Sequence, residues 1–177
     1  MSRVAIRYSK ALFELALEMQ LIEEVQSDLE IIKDVCTGNL EFHDVLINPL
    51  IEESIKANLL KRLFEDKLNA LTFKFLQLLS KKKRSGFLLE MINHYMERVL
   101  EYKNILSASL ITAEELEPTY VDSIKNRVEG ITGKSVILSE HIDDTLIGGF
   151  IVKIKDTVID LSIRTQLEKL RTQLIRG

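Results

Sequence analysis

The residues with the clearest potential for chemistry are Gly133-Lys134-Ser135, because Gly-Lys-Ser ends the loop with which many proteins bind phosphate. The complete loop pattern requires another glycine at position 128, where this chain has Val128. A helical apolar stripe precedes the three residues and a strand pattern follows them, whereas a phosphate loop leads from a strand into a helix. The sequence therefore predicts a helix end and a turn at Gly133.

The remaining titratable residues form no second candidate for catalysis. The three histidines, His43, His94 and His141, are scattered along the chain, whereas a zinc site needs ligands that converge. The acidic pairs fall at predicted helix starts and turns, without the apolar surroundings that raise a carboxyl pKa for acid–base work. We therefore expect a chain that is not an enzyme and that has no metal and no cofactor.

One short basic run, Lys81-Lys82-Lys83-Arg84, raises the alternative of a helical RNA- or ribosome-associated adaptor. The run follows a predicted helix, where cations are stabilised by the helix dipole and the exposed carbonyl groups. RNA binding would require further basic and aromatic residues on a common platform, and the sequence does not show them. Two rivals stay open at this point: the RNA adaptor, and a small enzyme that binds phosphate through Gly133-Lys134-Ser135.

The composition limits the kinds of protein that this chain can be. Its 177 residues carry a net charge of −3, so no global basic field points to nucleic acid. The single cysteine, Cys36, excludes an internal disulfide and is expected to be a buried core residue. No apolar run approaches the roughly 20 residues that span a bilayer, and charged residues interrupt any signal-peptide core near the N-terminus. We expect the isolated chain to be soluble.

The spacing of apolar residues predicts a mostly α fold with two modules. Within residues 1–104, six stretches with helical spacing predict a six-helix bundle. The fifth stretch, Leu71 to Leu79, is apolar almost all round, and its polar positions are Thr72, Lys74 and Gln77. Such a helix is central to its bundle or shares a face with another chain. Residues 105–177 predict a small α+β module with the order strand, helix, strand, hairpin, helix.

The predicted hairpin opens with two glycines, Gly148 and Gly149, which in a strand typically mark a bulge or a close approach of two backbones. We expect Gly149 to be structural, so that a side chain there would disturb the hairpin. Lys155-Asp156 is the predicted turn between the two short strands. Ser162 stands where the N-cap of the last helix belongs.

Two stretches carry a resemblance to a known family. Val4 to Phe13 contains a tyrosine followed by Ala-Leu-Phe, with Ser9 between them. Ile147 to Leu170 contains a Gly-Gly strand, an Asp-x-Ser-x-Arg corner and a Leu-x-x-Leu helix. These motifs resemble the delta subunit of the rotary ATP synthase, the family of the mitochondrial oligomycin-sensitivity-conferring protein. In that family alanine is usual at Ser9, glycine is common at Lys83, and the arginine matching Arg84 is usual.

The resemblance implies a non-catalytic stator subunit in the peripheral stalk of the proton-translocating ATP synthase. One copy per complex would link the alpha/beta catalytic head to the b-subunit stalk, so that the head resists rotation. Residues 1–104 would bind the N-terminal helix of an alpha subunit, and residues 105–177 would bind the C-terminus of the b subunits. The chain would lie on the cytoplasmic face of the inner cell membrane, held there only through the complex, and it would bind no nucleic acid.

The resemblance also implies where these partners bind. The alpha-subunit helix would lie in a groove between the first and fifth helices. For each of its expected contacts a place in the bundle core is the alternative role, and these contacts are Tyr8, Ala11, Leu12, Leu15, Leu71, Phe75 and Leu78. The structural signature of the stalk-binding module is expected at Gly148, Gly149, Asp160, Ser162 and Arg164. We also expect Asp160 and Arg164 to pair across the corner between the hairpin and the last helix, which would stabilise the fold.

Overall fold

The computed structural model describes residues 2–154 and 157–176. Within those residues the chain forms eight α-helices and four β-strands, which confirms the mostly α fold class. The helices are α1 (Arg3–Glu18), α2 (Ile22–Gly38), α3 (Leu40–Ile47), α4 (Glu53–Phe64), α5 (Ala70–Lys81), α6 (Leu88–Tyr102), α7 (Pro118–Thr132) and α8 (Ile163–Arg176). The strands are β1 (Ile105–Thr112), β2 (Ser135–Ile142), β3 (Phe150–Ile154) and β4 (Thr157–Asp160). The predicted turn at Lys155-Asp156 lies outside the described residues.

The chain divides into two compact units, Met1–Val99 and Leu100–Gly177, and the division falls in the last turn of α6. The assignment of separate functions to residues 1–104 and 105–177 remains a prediction. None of the helices in the described part of the chain is both long enough and apolar enough to cross a bilayer.

The core of the first unit is built from the apolar stripes of its helices. In α1 the buried positions are all small except Leu12, so neighbouring helices can approach α1 closely. Tyr95 of α6 is fully buried, and its hydroxyl donates a hydrogen bond of 3.3 Å to the carbonyl of Ile22. The Phe13 ring packs edge-to-face against Tyr95 with 5.9 Å between ring centroids. Cys36 is buried in the same core, as the sequence predicts.

The polar residue Thr72 of α5 belongs to the core, because it is fully buried. Its Oγ1 has no hydrogen-bond partner among the described residues. Lys74 and Gln77 are exposed. The buried face of α5 therefore includes Thr72, while Leu78 on the same helix is left exposed.

The end of α5 keeps a glycine-type turn without a glycine. Lys83 has a φ of 57°, its N–H donates to the Ser80 carbonyl at 3.0 Å, and the N–H of Arg84 donates to the Leu79 carbonyl at 2.9 Å. This pair of hydrogen bonds is the Schellman motif, in which the left-handed residue is usually glycine. The departure at Lys83 therefore leaves the shape of the turn intact but imposes backbone strain on a lysine.

Lys83→Gly is expected to raise the free energy of unfolding by about 0.5–1 kcal/mol, because glycine adopts a positive φ without steric cost. Gln77→Gly, on the exposed side of the same helix, is expected to lower it by about 1 kcal/mol. Urea denaturation followed by circular dichroism measures both changes. A loss of stability in both variants would contradict the assignment of strain to Lys83.

The second unit is a four-stranded sheet in the order β2-β1-β3-β4. β1 runs parallel to β2 and antiparallel to β3, and β3 and β4 form the predicted antiparallel hairpin. The helix α7 covers one face of the sheet, where Val128 joins a core with Ala108, Leu110, Val136 and Val152. Gly133 follows α7 with a φ of 66° and caps it, which confirms the predicted helix end.

Candidate partner-binding sites

An open apolar groove lies between α1 and α5 in the first unit. It encloses about 490 Å³. The residues that line it are Arg7, Tyr8, Ala11, Leu12, Leu15, Leu71, Lys74, Phe75 and Leu78. All seven of the residues expected to contact a partner helix are therefore brought together on one surface.

The lining residues divide into a floor and a rim. Leu12 and Phe75 are buried and belong to the core, so they form the floor. Leu15 and Leu78 are 46% and 43% exposed, and form part of the rim. Ala11 is exposed and small, which leaves room above the floor. The rim leucines expose apolar surface to water, which is typical of a docking surface.

Two basic side chains, which the sequence reasoning missed, also line this groove. The Arg7 guanidinium lies 5.6 Å from the centre of the Tyr8 ring, a cation–π arrangement that restrains the ring. Lys74 comes from α5, three residues after Leu71. Positions three and four residues apart share a helix face, and this spacing is the signal that would have found Lys74. The groove thus has an apolar floor, and its rim combines exposed leucines with the basic residues Arg7 and Lys74.

A buried polar network at another place in the first unit was also missed. The Lys56 ammonium is buried and donates to the Leu46 carbonyl at 3.0 Å and to a Glu53 carboxylate oxygen at 3.2 Å. The other Glu53 oxygen accepts a hydrogen bond of 2.8 Å from the Ser85 hydroxyl. The network connects the end of α3, the start of α4 and the segment after α5. Its role is structural, because every charge in it is paired.

The pKa shifts in the chain belong to structural groups. Burial raises the pKa of the Cys36 thiol to about 11, so this thiol is protonated at neutral pH. Burial also raises the pKa of Tyr95, with a smaller contribution from the charge of Glu24. Hydrogen bonds with Thr145 lower the pKa of Asp143. Among the described residues, no three His, Cys, Asp or Glu side chains are grouped as metal ligands.

In the second unit, the glycine pair lets the start of β3 contact the corner before α8. Gly149 has a φ of 77°, and a Cβ atom there would lie 2.5 Å from the Leu161 carbonyl oxygen and 2.9 Å from the Ser162 Cα. The Gly148 carbonyl accepts a hydrogen bond of 3.0 Å from the N–H of Ile163, the first residue of α8. A side chain at Gly149 is thus incompatible with this corner.

Asp160 and Ser162 form the N-terminal cap of α8. The Ser162 hydroxyl accepts from the Thr165 N–H at 3.3 Å, as expected of an N-cap residue. Asp160 accepts from the Ser162 N–H at 2.9 Å and from the Thr165 hydroxyl at 2.8 Å. The expected Asp160–Arg164 pair is wrong: no ion pair joins them in the described chain. Both Asp160 oxygens turn towards the cap, whereas Arg164 is exposed.

The cap should make stability depend on pH. Hydrogen bonds from Ser162, and then from Thr165, hold the pKa of Asp160 below its usual range. A carboxyl group whose pKa is lowered in the folded state stabilises the fold fully above its unfolded pKa of about 4. This stabilisation is lost as the pH falls through the folded-state pKa. Asp160→Asn should therefore be less stable than the unmodified chain at pH 7, and this difference should shrink below about pH 4. Urea denaturation at pH 7 and below about pH 4 measures the difference in stability between the two chains. A difference that grows in acid would contradict the predicted role of Asp160.

The described fold places the chain in the class of proteins that have a helical bundle followed by a small mixed α+β unit. A chain in the cryo-EM structure of the Toxoplasma gondii mitochondrial ATP synthase hexamer has the same fold, with a TM-score of 0.76 over 98% of both chains at 20% identity. The model of the ATP synthase delta (OSCP) subunit family matches residues 4–174. The chain belongs to this family, which confirms the resemblance found in the sequence.

The sequences of curated relatives match this chain over nearly its whole length. The chain is 36% identical to the ATP synthase subunit delta of Chlorobaculum tepidum, over 96% of this chain and 93% of that protein. It is 37% identical to the ATP synthase subunit delta of Synechococcus sp., over 98% and 96% of the two chains. Family membership makes the chain a delta-type subunit of ATP synthase, a component of the peripheral stalk and a peripheral member of a membrane complex.

Proposed function

We propose that this chain is a non-catalytic clamp. The α1–α5 groove binds the amphipathic N-terminal helix of an alpha subunit, and the second unit binds the C-terminal end of the b-subunit stalk. The chain is then held on the cytoplasmic face of the membrane through the complex. Rotation of the central shaft exerts a torque on the catalytic head, and a clamp of this kind keeps the head stationary.

The observation that carries the proposal is the apolar rim of the groove. Nanomolar attachment corresponds to about −12 kcal/mol, whereas exposed ion pairs contribute roughly 0–1 kcal/mol each. A tether that resists torque therefore needs apolar anchors. Leu15 and Leu78 supply them, because each has almost half of its surface open to a guest helix.

The basic margin adds information about the guest. Arg7 and Lys74 would face the polar flanks of a helix whose apolar stripe lies on the floor. A guest with carboxylates on those flanks would complement them, which favours the correct orientation more than it adds affinity. The groove therefore fits an amphipathic helix with acidic flanks.

The proposal is tested by a pull-down of the tagged full-length chain from detergent-treated membranes of its own organism. Both the alpha and the b subunits are expected in the eluate. In matched membranes whose alpha subunits lack the N-terminal helix, capture of free alpha subunits should be lost while capture of b subunits persists. Alpha capture that does not depend on this helix would contradict the groove assignment.

A measurement of ATP binding to the isolated chain tests the non-catalytic role. The isolated chain is expected to bind no ATP in equilibrium dialysis, because the turn at Gly133-Lys134-Ser135 follows a helix and precedes a strand, the reverse of a phosphate loop. ATP binding that is lost in Lys134→Ala would instead support the phosphate-binding alternative.

A further inference from the structure

The first turn of α5 is held by a side chain from another helix. The Asp28 carboxylate of α2 accepts a hydrogen bond of 2.8 Å from the backbone N–H of Asn69, the residue before α5. The two residues are 41 positions apart in the chain, so this bond joins α2 directly to the start of α5. Asp28 is only 8% exposed, and burying a carboxylate is costly unless it is hydrogen-bonded. The bond to Asn69 offsets part of that cost.

Asn69 connects Asp28 to the α1–α5 groove. Its side-chain oxygen accepts a hydrogen bond of 2.9 Å from the N–H of Leu71, and this bond caps the helix. Its carbonyl accepts a hydrogen bond of 3.0 Å from the N–H of Phe73, the first backbone bond of α5. The N–H, the side chain and the carbonyl of Asn69 are therefore all fixed. Leu71, which lines the groove, belongs to the turn that these bonds hold.

The negative charge of Asp28 is also favourable at this place. The N-terminus of a helix carries a partial positive charge, which a nearby carboxylate stabilises. The first turn of α5 contains no acidic residue of its own, whereas the first turn of α4 contains Glu53. Asp28 thus supplies to α5, from a different helix, the charge that α4 carries in its own sequence.

We infer that Asp28 is a positioning residue for the guest helix, because it holds the first turn of α5 in the conformation that presents Leu71 to the groove. The inference rests on the proposed function and deepens it, since it names a residue that controls affinity without lining the groove itself. Leu78 follows Leu71 by seven residues, or about 10 Å along α5. A change at Asp28 should therefore affect the Leu71 end of the groove and leave the Leu78 end unchanged. A first turn that is ordered before the guest binds lowers the entropic cost of binding.

Substitution of Asp28 in the full-length chain tests the inference. Calorimetric titration measures the affinity for an alpha-subunit N-terminal peptide. Asp28→Ala is expected to weaken binding about fivefold, because the first turn of α5 frays and part of the Leu71 contact is lost. Asp28→Asn keeps an acceptor oxygen but loses the charge, so it is expected to retain more affinity than Asp28→Ala. Circular dichroism should show both variants folded.

A double-mutant cycle distinguishes positioning from a general loss of stability. Leu71→Ala should weaken peptide binding about tenfold in the unmodified chain but only about twofold in the Asp28→Ala chain, where its contact is already impaired. Leu78→Ala should weaken binding by the same factor in both chains. Hydrogen exchange at the Leu71 amide should be faster in Asp28→Ala, while exchange at the Leu78 amide should not change.

Ser85→Ala is the matched control. It removes another hydrogen bond of 2.8 Å to a carboxylate, that of Glu53, at a position that does not line the groove. This variant should unfold at a lower urea concentration than the unmodified chain and bind the peptide with unchanged affinity.

Three results would overturn the positioning role of Asp28 while leaving the groove as the peptide site. They are an unchanged affinity in Asp28→Ala, effects of Asp28→Ala and Leu71→Ala that simply multiply, and an equal loss of affinity in Ser85→Ala. An unmodified chain that does not bind the peptide at all would overturn the proposed function and this inference with it.

Discussion

Gly149→Ala is expected to lower the free energy of unfolding of the second unit by about 3 kcal/mol or more. Two costs act together at this position. A φ of 77° is unfavourable for any residue with a Cβ, and that Cβ would lie 2.5 Å from the Leu161 carbonyl oxygen. The Leu161 backbone cannot easily yield, because its N–H donates to the Phe150 carbonyl at 3.0 Å. A larger residue such as aspartate should be worse, and stalk binding should fall with the fold.

Substitutions at two other glycines of the same unit distinguish the cost of the positive φ from the cost of the steric contact. Gly133 has a φ of 66°, but a Cβ added there would have no atom within 4 Å, so Gly133→Ala should cost only the backbone strain of about 1 kcal/mol. Gly130 lies inside α7 with open space around it, so Gly130→Ala should raise stability by about 1 kcal/mol. Urea denaturation followed by circular dichroism measures all three. If Gly149→Ala cost no more than Gly133→Ala, the close backbone contact would not exist in solution.

The elements of the fold could be predicted because their signals are local. Residue patterns predicted the order strand, helix, strand, hairpin and helix in the second unit, and Gly133 marked the end of α7. The order of the strands could not be predicted, because pairing β1 between β2 and β3 depends on contacts between distant residues. The burial of Thr72 could not be read from its polar residue type for a similar reason, because packing decides which positions α5 buries.

The groove was predictable only in part. Helical spacing showed that α5 carried more apolar surface than one bundle face uses, and the family resemblance supplied the pairing of α1 with α5. Neither signal shows how deeply a side chain is buried. The structure was therefore needed to distinguish the floor residues Leu12 and Phe75 from the exposed rim. The failed Asp160–Arg164 pair shows a related limit. Opposite charges four residues apart suggest an ion pair, but the backbone donors of a helix start competed for the same carboxylate.

Leu15→Glu and Leu78→Glu are each expected to weaken binding of an alpha-subunit N-terminal peptide roughly a hundredfold, or by about 3 kcal/mol. Each change removes an apolar anchor, and each places a carboxylate where the guest helix would exclude water. Because both leucines are almost half exposed in the free chain, the bundle itself should lose less than about 1 kcal/mol of stability. Calorimetric titration of the peptide gives the affinity, and circular dichroism reports the fold.

Leu17→Glu is the matched control for this prediction. Leu17 lies on the same helix as Leu15, is 41% exposed, and is not among the residues that line the groove. Its substitution introduces the same charge and removes a similar apolar area, so the fold and net charge change alike in the two variants. Peptide affinity should then be kept in Leu17→Glu and lost in Leu15→Glu. If the two variants bound the peptide equally well, the guest helix would have to lie elsewhere on the bundle, and the exposed rim leucines would need another partner.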